Sequence, residues 1–357
     1  MSFPFACIAE LGAKHVPPAW RAIRAPFDAS CVSGTQSRSR LKQGIPATLW
    51  RLVLSVVALW IPSATLACAA DAPHLEPWPS AGKRLWWVRA ERGDADAHNR
   101  GVVSNLLIVR DGRRVWAVGG GPSPTFGRAL GCVVEREISQ AITDVISPWP
   151  HPELVLGAAG LPQARHWAHA DVAQAMRRQC ARCVMRLRQR LGAAATDLGP
   201  EKASVRLPER LLRGSRGQLG PLRWWRLQRA PGVPVTVWQV RGGRVMTAHG
   251  LLCTGDAPDL RDSRADAMRA ATQPLAAIAR GATTLMGEQG DPARLDEVQA
   301  HMVYWSALDA AVRNAQSRGD DATTVPMTLP GVAASRTKGT ARALNWQRAW
   351  RHVEDQP

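Results

Sequence analysis

Apolar and polar positions change period repeatedly along this chain, and each change predicts an element. Residues 84–89, 102–109 and 115–118 carry the aromatic and β-branched enrichment of strands, the last two joined by a tight turn at Asp111-Gly112. A helical period follows over 126–138, then a strand over 142–146. Further on come a short helix over about 153–159, a short strand over about 165–168 and a longer helix over 171–191. Residues 193–220 read as loop with one β-like run, 204–207.

The second half repeats this order. Strands are predicted over 222–228, 235–240 and 244–248, the last two joined at Gly242-Gly243. A helix over 263–280, a strand over 283–286 and a long helix over 292–317 follow. From residue 320 the pattern loosens until a short helix over 341–353. Two successive blocks of strands then helices predict an α+β chain, an αββα four-layer sandwich with two facing sheets and helices outside. Trp86-Trp87 and Trp224-Trp225 lie on strands, where neighbouring rings point to opposite faces.

The N-terminal stretch changes this picture by adding a second part. Residues 1–69 read as an extension plus an export signal, with an apolar core over about 52–61 behind Arg51 and small residues at Ala67-Cys68-Ala69. That core is shorter than the roughly 20 apolar residues a membrane span needs. The mature protein is therefore expected in the periplasm without a membrane span, and attachment of lipid to Cys68 is the lesser option. The sandwich domain is assigned to 73–320 and a C-terminal tail to 321–357.

Charge and cysteine content narrow the function classes. The net charge is +17, from 46 Lys+Arg against 29 Asp+Glu, and removing residues 1–69 leaves 39 against 27. The basic residues are nearly all arginine, scattered rather than gathered in a stripe, and no nucleic-acid module is present, so nucleic acid is excluded as partner. Cys180 and Cys183 form a C-x-x-C pair on a predicted helix; with no second pair to complete a four-sulfur zinc site, they are the expected disulfide.

The chemistry concentrates in Ser147-Pro-Trp-Pro-His-Pro-Glu-Leu-Val-Leu-Gly157, where a strand end turns into a helix. This stretch resembles the His-x-His-x-Asp-His motif of the metallo-β-lactamase-fold hydrolases, whose four metal-binding positions fall here on Trp149, His151, Glu153 and Leu154. Residues 105–112 and 121–130 resemble the opening hairpin and strand-to-helix loop of that family. Residues 257–262 and 345–350 resemble its exported zinc metallohydrolase-like branch, associated with quinoprotein alcohol oxidation.

The resemblance implies zinc as cofactor and a metal-activated water as nucleophile. It also marks where the ligands should stand. A loop aspartate falls at Gly119 or Gly120, the next histidine at Arg229, the bridging aspartate at Gly250 beside His249 and Asp256, and the last histidine at Glu288 or Gln289. Only His151, Glu153 and Glu288 retain ligand chemistry, so no metal is the first expectation and zinc on those three the alternative. The pocket candidates are Trp149, His151, Glu153, Arg229, His249, Asp256 and Glu288, with Arg229 paired to Glu288 or receiving a small acidic or aromatic ligand. Two functions follow: a non-hydrolytic binding or accessory factor of a periplasmic quinoprotein system, or a mono-metal hydrolase of esters, thioesters or lactones.

Overall fold

Two sheets stacked face to face form the centre of the protein, and their strand order follows from two similar halves of sequence. The structure, a computed structural model, describes residues 68–79 and 84–354, apart from residues 243, 258, 280, 283, 326, 338 and 339. Of the extension and export signal expected over 1–69, residues 1–67, including the apolar core over about 52–61, lie outside the described residues.

The first sheet runs β1 (Glu76–Pro77), β2 (Leu85–Val88), β3 (Leu106–Asp111), β4 (Arg114–Val118), β5 (Asp144–Ile146), β6 (Arg165–His169) and β7 (Arg210–Leu212) in spatial order. Strands β1 to β4 pair antiparallel, and β4 to β7 pair parallel. The parallel pairs require crossovers, supplied by helices α1 (Pro124–Ile138), α2 (Pro152–Val155) and α3 (Ala170–Leu191). The second sheet has the order β12-β11-β10-β9-β8, formed by β8 (Arg216–Leu219), β9 (Leu222–Ala230), β10 (Val233–Val240), β11 (Val245–Thr247) and β12 (Thr284–Met286). It too is an antiparallel meander that ends in a parallel pair, with α4 (Ala265–Ile278) as the crossover. Helices α5 (Asp296–Ser317) and α6 (Thr340–Glu354) complete the described chain.

Alternation along the strands sorts side chains into two layers. Trp87, Leu107, Val109, Trp116, Trp224 and Trp238 lie between the sheets. Trp86, Leu106, Ile108 and Val115 face the other way, against helix residues such as Leu130, Val133 and Met176. Both rings of the Trp86-Trp87 pair are buried because both faces of the sheet are covered. Helix α1 starts where Ser123 accepts from the Phe126 N–H at 3.0 Å and Pro124 occupies the first turn. It stops at Ser139, which takes a left-handed φ of 58°.

Three expectations need correction. The β-like run over 204–207 is not a strand; Ser204 is buried, its hydroxyl donating to the Leu198 carbonyl at 2.6 Å. Strands β7 and β8 instead form over 210–219, a stretch read as loop, because an edge position demands little apolar side-chain content. The C-terminal stretch is no loose tail: Trp346, Ala349 and Trp350 of α6 pack with Tyr304, Trp305 and Leu308 of α5 in a third apolar cluster. No helix among the described residues is long and apolar enough to cross a membrane.

The cysteine expectation also fails. Cys180 and Cys183 are free, and the bridge joins Cys68 to Cys132. Positions i and i+3 of a helix hold their Cβ atoms roughly 5–6 Å apart. A disulfide needs about 3.5–4.5 Å. Burial pushes the Cys180 thiol up to about 12, so it behaves as a small core residue.

Candidate functional site

The site assembles from three loops and the end of one strand at one end of the sandwich. Strand β5 ends at Ile146, and the Pro-Trp-Pro run carries the chain to His151, which stands at the N-terminus of α2. That loop is pinned by Thr236 of β10, whose N–H and hydroxyl both donate to the Pro148 carbonyl at 2.8 Å. The loop after β12 brings Glu288. It is held by the buried Asn105, whose side-chain amide donates to the carbonyls of Gly287 at 3.1 Å and Gly290 at 2.9 Å and accepts from the Ala90 N–H at 2.8 Å. Strand β9 supplies Arg229, and the loop before α4 supplies Asp259 and Arg261.

At the centre, His151 Nδ1 lies 3.1 Å from a Glu153 oxygen and 3.3 Å from a Glu288 oxygen. Its other nitrogen, Nε2, accepts from Arg261 Nη1 at 2.8 Å. A guanidinium has no lone pair to offer, so His151 must present its own lone pair at Nε2 and carry its hydrogen on Nδ1, toward the carboxylates. Arg261 also sits 3.8 Å from Glu153, 3.0 Å from Asp259 and 3.5 Å from Asp94. One arginine thus neutralises a cluster of three retained ligand positions. The sequence reading missed it, although Arg261 lies inside the 257–262 run that carries part of the family resemblance.

Charge states follow from burial first. Burial, then the Arg261 guanidinium, hold His151 well below the usual histidine range, so it stays neutral. Burial pushes Glu153 up, and pushes Glu288 up to about 7, in each case against the pull of nearby arginines. Burial also acts to raise Asp259, but Arg261, Arg229 and Arg348 outweigh it and hold that carboxyl at about 2. Between roughly pH 4.5 and 7 the folded protein keeps a Glu288 proton that the unfolded chain has lost, so this group's contribution falls as pH rises through that window. The Glu288→Gln variant should therefore gain on the wild type, by on the order of 3 kcal/mol between pH 4.5 and 7.5. Urea unfolding of both proteins across that range measures the difference; parallel pH profiles would contradict it.

The positions where the resemblance expects metal ligands are filled by groups that pack on one another. Trp149 stacks on His151 with ring centroids 4.5 Å apart and planes 7° from parallel. Gly250, at φ +74°, also lies against Trp149, and an added Cβ there would stand 3.0 Å from the indole. A side chain at position 250 would crowd the ring, so Gly250 and Trp149 are matched in packing. Leu154 is fully buried and lies against Gly119, where an added Cβ would meet its methyl at 2.6 Å.

Arg229, only 1% exposed, lies 4.8 Å above the Trp149 ring. Its expected pairing with Glu288 gives way to three backbone carbonyls. Nε donates to Gly250 at 2.7 Å, and the two terminal nitrogens donate to Arg261 and Asp259. Glu288 instead accepts from Ser104 Oγ at 3.3 Å and the Gly250 N–H at 3.2 Å. Arg229 is a buried clamp on the loop that presents Arg261.

The remaining candidates divide. Asp256 lines the same cavity as His151, Glu153 and Glu288, with its carboxylate accepting from the Ala257 N–H. His249 turns away, bonding the Asn105 carbonyl through Nε2 at 2.7 Å. Gln289 exchanges two hydrogen bonds with the backbone of Gly93 and so fastens the neighbouring loop. The cavity between these groups measures about 70 Å³ and is roofed by Ala341, Leu344 and Arg348 of α6. Ligand pockets usually run to roughly 300–1,000 Å³, so this one is closed to a drug-sized molecule.

No family model matches the chain, and no curated protein matches it by sequence. Solved structures do match by shape. The metallo-β-lactamase of Hirschia baltica is similar at a TM-score of 0.50 and 11% identity, over 66% of this chain and 98% of that one. The FIM-1 metallo-β-lactamase of Pseudomonas aeruginosa, in its mono-zinc form, is similar at 0.51 and 14%, over 67% and 98%.

Zinc does not fit the side chains as they stand. Among the described residues no group of three or more His, Cys, Asp or Glu is placed to hold a metal ion. The one histidine lone pair in the cluster already accepts from a guanidinium, and a cation beside Arg261 would meet strong repulsion. With two facing sheets and flanking helices, the chain is built on the metallo-β-lactamase fold.

Proposed function

We propose that this protein is a non-hydrolytic member of the metallo-β-lactamase fold, an exported binding or accessory factor linked to periplasmic quinoprotein alcohol oxidation. The observation that carries the non-hydrolytic reading is the guanidinium of Arg261 within hydrogen-bond reach of His151 and beside Glu153. It supplies the positive charge that the retained carboxylates require, and it leaves no ligand geometry for a metal that would activate water.

Export is supported by the Cys68–Cys132 bridge, since disulfides persist in oxidising compartments. The quinoprotein link is supported by the two segments that resemble that branch, which meet over the site. Asn345 accepts from the Leu260 N–H at 2.8 Å, and Arg348 pairs with Asp259. The closed 70 Å³ cavity favours recognition of a partner surface over a small ligand held at Arg229.

The mono-metal hydrolase reading has one observation in its favour, the convergence of His151, Glu153 and Glu288. It requires Arg261 to leave the cluster. Metal analysis of protein purified without chelators separates the two. The accessory reading expects no stoichiometric zinc and no hydrolysis of ester, thioester or lactone probes. Bound zinc, lost together with hydrolysis in a His151→Ala variant, would replace it with the enzyme.

A further inference from the structure

The bridge between Cys68 and Cys132 decides between three fates for the N-terminal segment, an inference that rests on the export reading above. The sequence offers two small-residue boxes for leader removal. Ala67-Cys68-Ala69 is the better match and would be cut after Ala69. Thr65-Leu66-Ala67 is the poorer match and would be cut before Cys68. A third fate keeps Cys68 but places a lipid on its sulfur. These routes differ in what becomes of one atom, Cys68 Sγ.

In the structure that sulfur is bonded to Cys132, on the middle of α1. Cys68 and Ala72 pack against the helix-side core, so the residues ahead of β1 are part of the folded body. A second tether lies nearby: Arg100 pairs with Asp71 and, at 2.7 Å, with Asp197. A cut after Ala69 would discard the Cys68 thiol and leave Cys132 alone, and a lipid thioether would block the bridge. The other described thiols, Cys180, Cys183 and Cys253, are free and at least half-buried.

We infer that the leader is removed by hydrolysis of the Ala67–Cys68 peptide bond, and that Cys68 becomes the N-terminal residue bridged to Cys132. Water adds across the peptide bond, leaving a carboxylate on Ala67 and an amino group on Cys68. The two thiols then lose two protons and two electrons to a disulfide-carrying oxidant of the receiving compartment.

The test uses the full chain, expressed with its own N-terminus in a bacterium with a periplasm. Intact mass and a tryptic map without reduction are recorded on the folded protein. The expected result is an N-terminus at Cys68, peptide 68–83 joined to peptide 129–136, and no lipid. In a Cys132→Ser variant the N-terminus should stay at Cys68 and its thiol should become open to alkylation. An exported protein beginning at Ala70 or at any other residue, or one carrying lipid on Cys68, overturns this inference and leaves export standing. A chain that keeps Met1 in the cytosol overturns export itself, and this inference with it.

Discussion

Arg229→Ala should destabilise the protein by about 4 kcal/mol, among the largest losses that a single substitution outside the apolar core can cause here. The arginine is buried and donates to the carbonyls of Gly250, Asp259 and Arg261, while its face covers the Trp149 ring. Alanine would leave one buried and two part-buried acceptors without their charged donor and open a cavity over the indole. Arg229→Lys is the informative control. A lysine keeps the charge but cannot reach three divergent carbonyls, so it should recover less than half of the loss. Denaturant unfolding of the three proteins measures both effects. A loss below about 1 kcal/mol for the alanine variant would show that the clamp is not needed.

Arg261→Ala should cost about 3–5 kcal/mol near neutral pH, because it strips the cation from buried carboxyls. The sign of the pH dependence is fixed by what Arg261 does to its neighbours. It pulls Glu153 and Glu288 down against burial, so its removal raises both further. The variant then holds protons at neutral pH that the unfolded chain has released, and its deficit should widen from pH 5 to pH 8. The same variant tests whether the guanidinium stands in for a metal. With Arg261 gone, the His151 Nε2 lone pair is freed on the side the guanidinium occupied beside Glu153, and added zinc should raise the melting temperature of the variant but not of the wild type. An equal response in both proteins, or none in the variant, would break that link.

The site was legible wherever local pattern carried it. The strand-to-helix stretch at Ser147–Gly157 stands at one end of the sandwich, and His151, Glu153 and Glu288 do converge. Trp149 and Gly250 were visible as substitutions at ligand positions but not as partners. Their 3.0 Å fit exists only once β5 and the loop after β11 lie side by side. Arg261 stayed hidden for a different reason. Arginine is abundant in this chain and scattered on its surface, so one arginine turned inward has no local signature. The buried Asn105 was part of the quoted family-like hairpin, yet its three backbone bonds to segments some 15 and 180 residues away are invisible in one dimension.

What the amino-acid order determined by itself is the sequence of strands and helices and hence the sandwich. Alternation and helical period act over a few residues, and each half of the chain repeats the same meander and crossover. What only the tertiary structure decided is which charges meet. The partner of the retained ligands proved to be Arg261 rather than Arg229, and the partner of Cys68 proved to be Cys132 while Cys180 and Cys183 stayed free. Those pairings join residues 64 positions apart, Cys68 to Cys132, and 110 positions apart, His151 to Arg261. Electrostatic and covalent partners are chosen by distance in space, to within a few tenths of an ångström, and sequence separation carries no information about that distance.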